Sequence, residues 1–231
     1  MKLLALDTVT EYCSAALSIK GELIWRETLA KQSHTEMILP MVEALLAEAE
    51  LSVGELDAIA FDRGPGSFTG LRIGAGVAQG LALASNLPVI PVSSLQLIAQ
   101  TCMVVSGQNN VMACIDARQG EVYWGCFLKQ AGIMQLAGVE KIDHPCNVAS
   151  GERVYYGAGS GFSTFQHELT SSKQIQLSGY DETIYPFAKN MITLAIDSWE
   201  GERYVDASEV LPVYLRDKVA KVPARPPGEK S

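Results

Sequence analysis

The sequence predicts an α/β chain of two related domains, each a mixed sheet flanked by helices, with the second domain reduced. Three observations lead there. Short apolar strands alternate with helical segments through the first half of the chain, the pattern of an α/β fold. The opening strand–turn–strand pattern returns near the middle. A glycine-rich stretch, FDRGPGSFTGLRIGAGVAQG from Phe61 to Gly80, joins a strand to a helix.

The elements follow in order. Lys2 to Leu6 reads as a short buried strand ending at Asp7. Cys13 to Ile19 alternates as a second strand, Lys20-Gly21-Glu22 as a hairpin turn, and Leu23 to Leu29 as a third strand. Ser33-His34-Thr35-Glu36 fits a capping box, with Ser at N-cap and Glu three residues on, so a helix is expected from Ser33 to about Glu50. Leu56 to Phe61 is a strand, Leu71 to Ser85 a helix, Pro88 to Val92 a strand and Ser94 to Val105 a helix. Pro186 to Trp199 is a further helix.

The repeat sets VMACIDARQGEVYWGCFLK, from Val111, under LLALDTVTEYCSAALSIK, from Leu3. Each copy has an apolar strand ending in Asp (Asp7, Asp116), a polar turn, a Glu (Glu11, Glu121), an alternating strand and a Gly turn (Gly21, Gly132). Internal repeats outrank local readings, because missing one misassigns the fold. The expected domains are residues 1–105, residues 106–218 with a last segment that packs back on the first domain, and a flexible tail at 219–231.

Composition narrows the function. With 231 residues, 48% hydrophobic and 19% charged, the chain can bury a sizeable core. Its net charge of -8 argues against RNA binding as its own task. Five cysteines without a CxxC pair read as reduced thiols, and the short apolar start before Asp7 reads as neither signal peptide nor membrane span. A cytoplasmic protein is expected.

The glycine stretch invites a phosphate-loop reading, since amides at a helix N-terminus face anions. It fails the spacing tests. No GxxxxGK[ST] is present, and Gly64, Gly66 and Gly70 give GxGxxxG, one residue longer than the dinucleotide fingerprint. Gly64-Pro65-Gly66 is a turn, and Ser67 or Thr69 can cap the helix. Gly70, Gly74 and Ala78 fall on one helix face and Gly76, Gly80 and Ala84 on another. Each helical Gly costs about 0.5–1 kcal/mol against Ala, which close approach of another backbone would justify. The helix from Ser33 carries Met37, Ile38, Leu39, Met41, Val42, Leu45 and Leu46, more than the usual apolar stripe. A protein interface or a wholly internal packing would absorb the surplus.

Catalytic patterns are sparse. His34, His144 and His167 have no metal-pair spacing, and there is no HExxH or GxSxG. Asp7 and Asp116 could hold a cation or a water near phosphate, or make Asx-type turn bonds.

Asp-ended first strands in both halves, each followed by a hairpin, resemble the actin, hexokinase and Hsp70 superfamily (ASKHA). There a nucleotide lies between the domains, and Tyr156-Gly157-Ala158-Gly159 could imitate its adenosine-side turn. A closer resemblance covers nearly the whole chain. LLALDTVTEYCSAAL, HTEMILPMVEALL, DRGPGSFTGLRIGAGVAQGLA, PVSSL, IDARQGEVYW and LPVYLRD, in this order, are similar to the TsaB (YeaZ) family, the partner subunit in bacterial tRNA threonylcarbamoyladenosine (t6A) synthesis.

That resemblance implies a non-catalytic paralogue of TsaD that pairs with TsaD, works with the ATPase TsaE, and forms a homodimer when TsaD is absent. The complex transfers threonylcarbamoyl to adenosine 37 of tRNAs reading ANN codons, and tRNA is reached only through the complex. TsaD carries a metal-binding HxxxH pair after a PV strand end; Ser94 and Ile98 take those two positions here, and Ile has no lone pair for a metal. The implied partner interface is Ile38, Met41, Val42, Leu45, Leu46, Gly70, Ile73, Gly74, Val77 and Leu81. No metal and no cofactor of its own are implied. A nucleotide near the TsaB–TsaD junction is the secondary reading, with Asp7, Thr8, Gly64, Gly66 and Asp116 as its remnant site. An actin-like ATPase or kinase, a metalloprotease-like relative and a stand-alone homodimeric regulator stay as alternatives. LPVYLRD, Leu211 to Asp217, reads as a strand or as a segment that closes the second domain.

Overall fold

The computed structural model describes residues 1–31 and 33–216. The expected tail at 219–231, and Asp217 of LPVYLRD, lie outside the described residues. Strands β1 (Lys2–Asp7), β2 (Tyr12–Ile19), β3 (Glu22–Leu29), β4 (Ala58–Gly64) and β5 (Val89–Ser93) form one sheet in the order β3-β2-β1-β4-β5. Strands β6 (Asn110–Arg118), β7 (Glu121–Gln130), β8 (Ile133–Leu136), β10 (Val154–Ala158) and β11 (Gln176–Asp181) form a second in the order β8-β7-β6-β10-β11, and β9 (Lys141–Asp143) pairs with β7. Laid on each other with β6 over β1, the two orders are the same. In each, three strands run as antiparallel neighbours and two more are added in parallel on the other side. The repeat in sequence is therefore a repeat of topology.

The helices show why β1 is buried on both faces. α1 (His34–Glu48) and α2 (Phe68–Ser85) cover one face of the first sheet, where they meet Leu4, Leu6, Cys13, Leu17, Ile59 and Phe61. The alternate residues Leu3, Ala5, Ala16, Ala58 and Ala60 point the other way, onto α6 (Ala188–Glu200). A strand covered on both faces loses the apolar–polar alternation and reads as a continuous hydrophobic run. α3 (Ser94–Ser106) follows β5 in sequence but packs on β6, β7 and β8 of the second sheet. α6 follows β11 but packs on β1, β2 and β5 of the first. Each half sends its last helix to the other half's sheet, and α3 and α6 touch where they cross. Short α4 (Gly161–Thr164) and α5 (Gln166–Ser171) follow β10.

Several local expectations shift. Ser33 makes no side-chain cap, because its backbone is not extended as an N-cap requires. A capping box forms instead at Ser52, whose amide and hydroxyl both donate to Glu55 Oε2, at 2.9 and 3.0 Å. β4 continues through Asp62 to Gly64 rather than ending at Phe61, and α2 begins at Phe68 with Ser67 as its cap. Among the described residues, no helix is long and apolar enough to cross a membrane.

Candidate functional site

Asp7, the last residue of β1, and Asp62, two residues before the end of β4, directly follow the paired residues Leu6 and Phe61 of these adjacent parallel strands. Both are buried. Asp7 Oδ1 accepts the Val9 amide at 3.0 Å, the Asx-type bond expected of a strand-end aspartate. Asp62 Oδ1 accepts the Gly64 amide at 2.8 Å and the Ser94 hydroxyl at 2.5 Å. Burial, and then the facing Asp62, hold the Asp7 carboxyl well above the usual carboxylate range. Burial raises Asp62 too, against the lowering donors Ser94 and Gly64. Beside them Glu140, from the β8–β9 connection, accepts from Ser93 Oγ and lies 3.7 Å from Arg63; burial raises it as well. Asp62, Arg63 and Glu140 are the residues of this seam that sequence reasoning missed, and Ser94 entered it only at a metal-histidine position.

Asp116 is the counterpart of Asp7 but has local partners. It accepts from the Arg118 amide at 2.7 Å and from Thr164 Oγ1 at 3.3 Å. Among the described residues no hydrogen bond or ion pair joins it to Asp7. His34 is buried with Nε2 2.8 Å from the Thr10 carbonyl, and no group of three or more His, Cys, Asp or Glu among the described residues is placed to hold a metal ion. Tyr156 to Gly159 lies at the end of β10, where a Cβ on Gly159 would sit 2.5 Å from the Cys114 carbonyl.

The glycine stretch is filled by the chain's own backbone. A Cβ on Gly66 would fall 2.1 Å from Val9 Cγ1, one on Gly70 2.0 Å from the Thr8 carbonyl, and one on Gly74 2.7 Å from Thr8 Oγ1. Real Cβ atoms do not approach so closely, so these three glycines let α2 and its leading turn press onto the β1–β2 turn. Gly76 and Gly80 are the reverse: they are exposed, and among the described residues a Cβ on either would meet nothing within 4 Å.

This sorts the expected interface set. Ile38, Val42, Leu45 and Leu46 are buried in the core of the first sheet, and Gly70 and Gly74 against Thr8. The apolar surplus of α1 is thus largely internal. Met41, Ile73, Val77 and Leu81 are half-buried and reach the surface. With Gly76, Gly80 and Ala84, the α2 residues Ile73, Val77 and Leu81 make an outward stripe along that helix, beside α1, where Met37 and Met41 are half-buried and Leu39 is 44% exposed.

The segment 211–216 forms no strand. It crosses from one half to the other as a strap. The Val213 amide donates to the Arg63 carbonyl at 2.8 Å, and the Tyr214 ring lies tilted at 41° against Phe68 with centroids 5.8 Å apart. Arg216 Nη2 donates to the Ala117 carbonyl at 3.0 Å and lies 2.6 Å from Glu121 Oε2.

A family model described as "TsaD: tRNA N6-adenosine threonylcarbamoyltransferase" matches residues 27–196. The "tRNA threonylcarbamoyladenosine biosynthesis protein TsaB" of Haemophilus influenzae is 39% identical, over 97% of this chain and 98% of that protein. The protein of the same name from Escherichia coli K12 is 38% identical, over 97% and 100%. The solved structure "YeaZ from Pseudomonas aeruginosa" superposes with a TM-score of 0.87 at 42% identity, covering 93% of this chain and 99% of that one. Near-full-length identity, a shared fold and a TsaD-like domain agree: the chain belongs to the TsaB (YeaZ) family, within the wider grouping that the TsaD model describes.

Proposed function

We propose that this chain is a non-catalytic, cytoplasmic subunit of tRNA threonylcarbamoyladenosine synthesis that pairs with TsaD through the outer faces of α1 and α2. TsaE completes the complex, tRNA is engaged through it, and the same surface forms a homodimer when TsaD is absent. One observation carries this reading. The stripe Ile73, Gly76, Val77, Gly80, Leu81 and Ala84 is apolar, reaches the surface and has no side chain of the described residues over its glycines. Small residues beside larger apolar ones let a partner helix approach closely.

Two observations support the absence of catalysis. The positions that the resemblance aligns with TsaD's metal histidines are in structural use: Ser94 bonds Asp62, and Ile98 is buried in the core of the second sheet. The seam between the halves gathers the carboxyl groups of Asp7, Asp62 and Glu140, with Arg63 already paired to Glu140, an acceptor-rich lining that suits a phosphate poorly. Size-exclusion chromatography with light scattering, on the chain alone and mixed with TsaD of the same organism, tests the reading. A homodimer that converts to a heterodimer is expected. A monomer that ignores TsaD would overturn it.

A further inference from the structure

Asp7 and Asp62 present more acceptor atoms than the surrounding protein has donors to satisfy. Their Oδ1 atoms take the Val9 and Gly64 amides and the Ser94 hydroxyl. Their Oδ2 atoms are buried and, among the described residues, have no hydrogen-bond partner, and the two carboxyl groups stand side by side, each directly after the paired residues Leu6 and Phe61 of adjacent parallel strands. Two carboxylates side by side in a dry site cannot both stay ionised. A buried acceptor left without a donor is costly in itself.

We propose that Asp7 and Asp62 share one proton, held between their Oδ2 atoms, and that this acid pair pins the end of β1 to β4 and so fixes the Thr8–Val9 turn under α2. One proton meets both unmet needs at once. It turns one orphan acceptor into a donor and leaves the pair with a single negative charge. Thr8 then carries the constraint outward, through its hydroxyl donating to the Gly70 carbonyl at 2.7 Å.

Among the described residues, no counter-ion is in direct contact with the pair. From β2 come the Ser14 hydroxyl, which accepts from the Ala188 amide of α6 and whose own O–H beside Asp7 partly offsets the upward push on that carboxyl, and the Cys13 thiol, which burial and the nearby Asp7 push up to about 12. From α3 comes the Ser94 hydroxyl, and α2 turns Gly70 and Gly74 toward the turn. From the β8–β9 connection comes Glu140, a further carboxyl, whose own ionic partner is Arg63.

The linkage has a definite sign. An aspartate that keeps its proton in the folded state binds it more tightly than the unfolded chain does. Its contribution to stability is complete below the ordinary aspartate pKa and is lost as pH rises toward the raised folded value, by up to about tenfold in the folding equilibrium per pH unit. This is opposite to a salt-bridged aspartate.

The test compares full-length wild type with Asp62→Asn by urea unfolding from about pH 5 to 9. The amide puts a fixed donor where the shared proton sits, keeps Oδ1 for Gly64 and Ser94, and leaves the pair with the same charge. The folding constant of wild type relative to the variant should fall as pH rises, by up to about tenfold per unit within the window. A ratio constant with pH would overturn the proposal. If Asp62→Asn does not fold, infrared spectroscopy of Glu140→Gln decides: a protonated-carboxyl C=O band at neutral pH supports the shared proton, and its absence overturns it.

Discussion

Thr8 and Gly70 meet at backbone level: the Thr8 hydroxyl donates to the Gly70 carbonyl at 2.7 Å, and a Cβ on Gly70 would lie 2.0 Å from the Thr8 carbonyl oxygen. The helix can therefore lie flat on the β1–β2 turn only where it has no side chain. Gly70→Ala should destabilise the chain by about 1–3 kcal/mol through overpacking, although Ala is the better helix former by about 1 kcal/mol. Gly76→Ala and Gly80→Ala meet open space and should stabilise by up to about 1 kcal/mol each. Urea midpoints with unchanged slopes would show the opposite signs. A stabilised Gly70→Ala would remove the close-approach account.

The same geometry separates folding from pairing. Gly74 faces Thr8, so a large residue there would damage the fold before any interface. Gly76 faces outward beside Val77. Gly76→Arg should leave the unfolding midpoint within about 0.5 kcal/mol of wild type while weakening association with TsaD by about 2 kcal/mol or more, some thirtyfold. Val77→Glu should act in the same direction, with a small extra cost because Val77 is half-buried. Titration calorimetry on both variants measures this, and wild-type affinity in both would exclude this face as the docking surface.

Much of this was legible in the sequence, and the exceptions have a physical pattern. The first three strands, their Gly21 turn and their second copy at Val111 follow from local alternation and turn chemistry, and the two orders of strands bear them out. The two faces of α2 also follow from spacing alone: Gly70, Gly74 and Ala78 are buried, while Gly76, Gly80 and Ala84 are exposed. What spacing could not give is the partner of each face. Thr8 is 62 residues from Gly70, so the backbone that demands the glycine is invisible locally. The apolar surplus of α1 looked like an outer surface because a lone helix has one buried stripe. Here α1 sits on β2 and also against β3 and α2, which widens its buried arc. Asp62 was passed over inside the glycine stretch, yet the signal was present: AIAFD, like LLALD, is an apolar run ending in Asp.

Cysteine reactivity offers an independent check on how the two cores close. Cys13, Cys102, Cys114 and Cys126 are buried, and Cys146 is the exposed free thiol. Burial is the largest influence on the four buried thiols and pushes all of them up, Cys13 to about 12 and Cys126 to about 11. A thiol-specific chromogenic reagent should therefore titrate one cysteine rapidly in the native chain and all five in denaturant. Cys146→Ser should abolish the fast phase. A second fast thiol would mean that a core opens more readily than its packing implies.

The strap at 211–216 makes the strongest claim about how the halves hold together. Arg216 is only partly exposed and bonds the Ala117 carbonyl and Glu121, while Val213 bonds Arg63 across the seam. Glu121 is the more exposed member of that ion pair, so its Coulombic share is small and screened by salt. The carbonyl bond and the buried stem carry the rest, and Arg216→Ala should cost about 1–2 kcal/mol. Arg216→Lys keeps the charge without the fork and should recover only part of the loss. Added salt should narrow the gap between wild type and Arg216→Ala slightly. A gap that vanishes in salt would mean the strap is tied by charge alone, and no gap at any salt would mean it does not secure the halves.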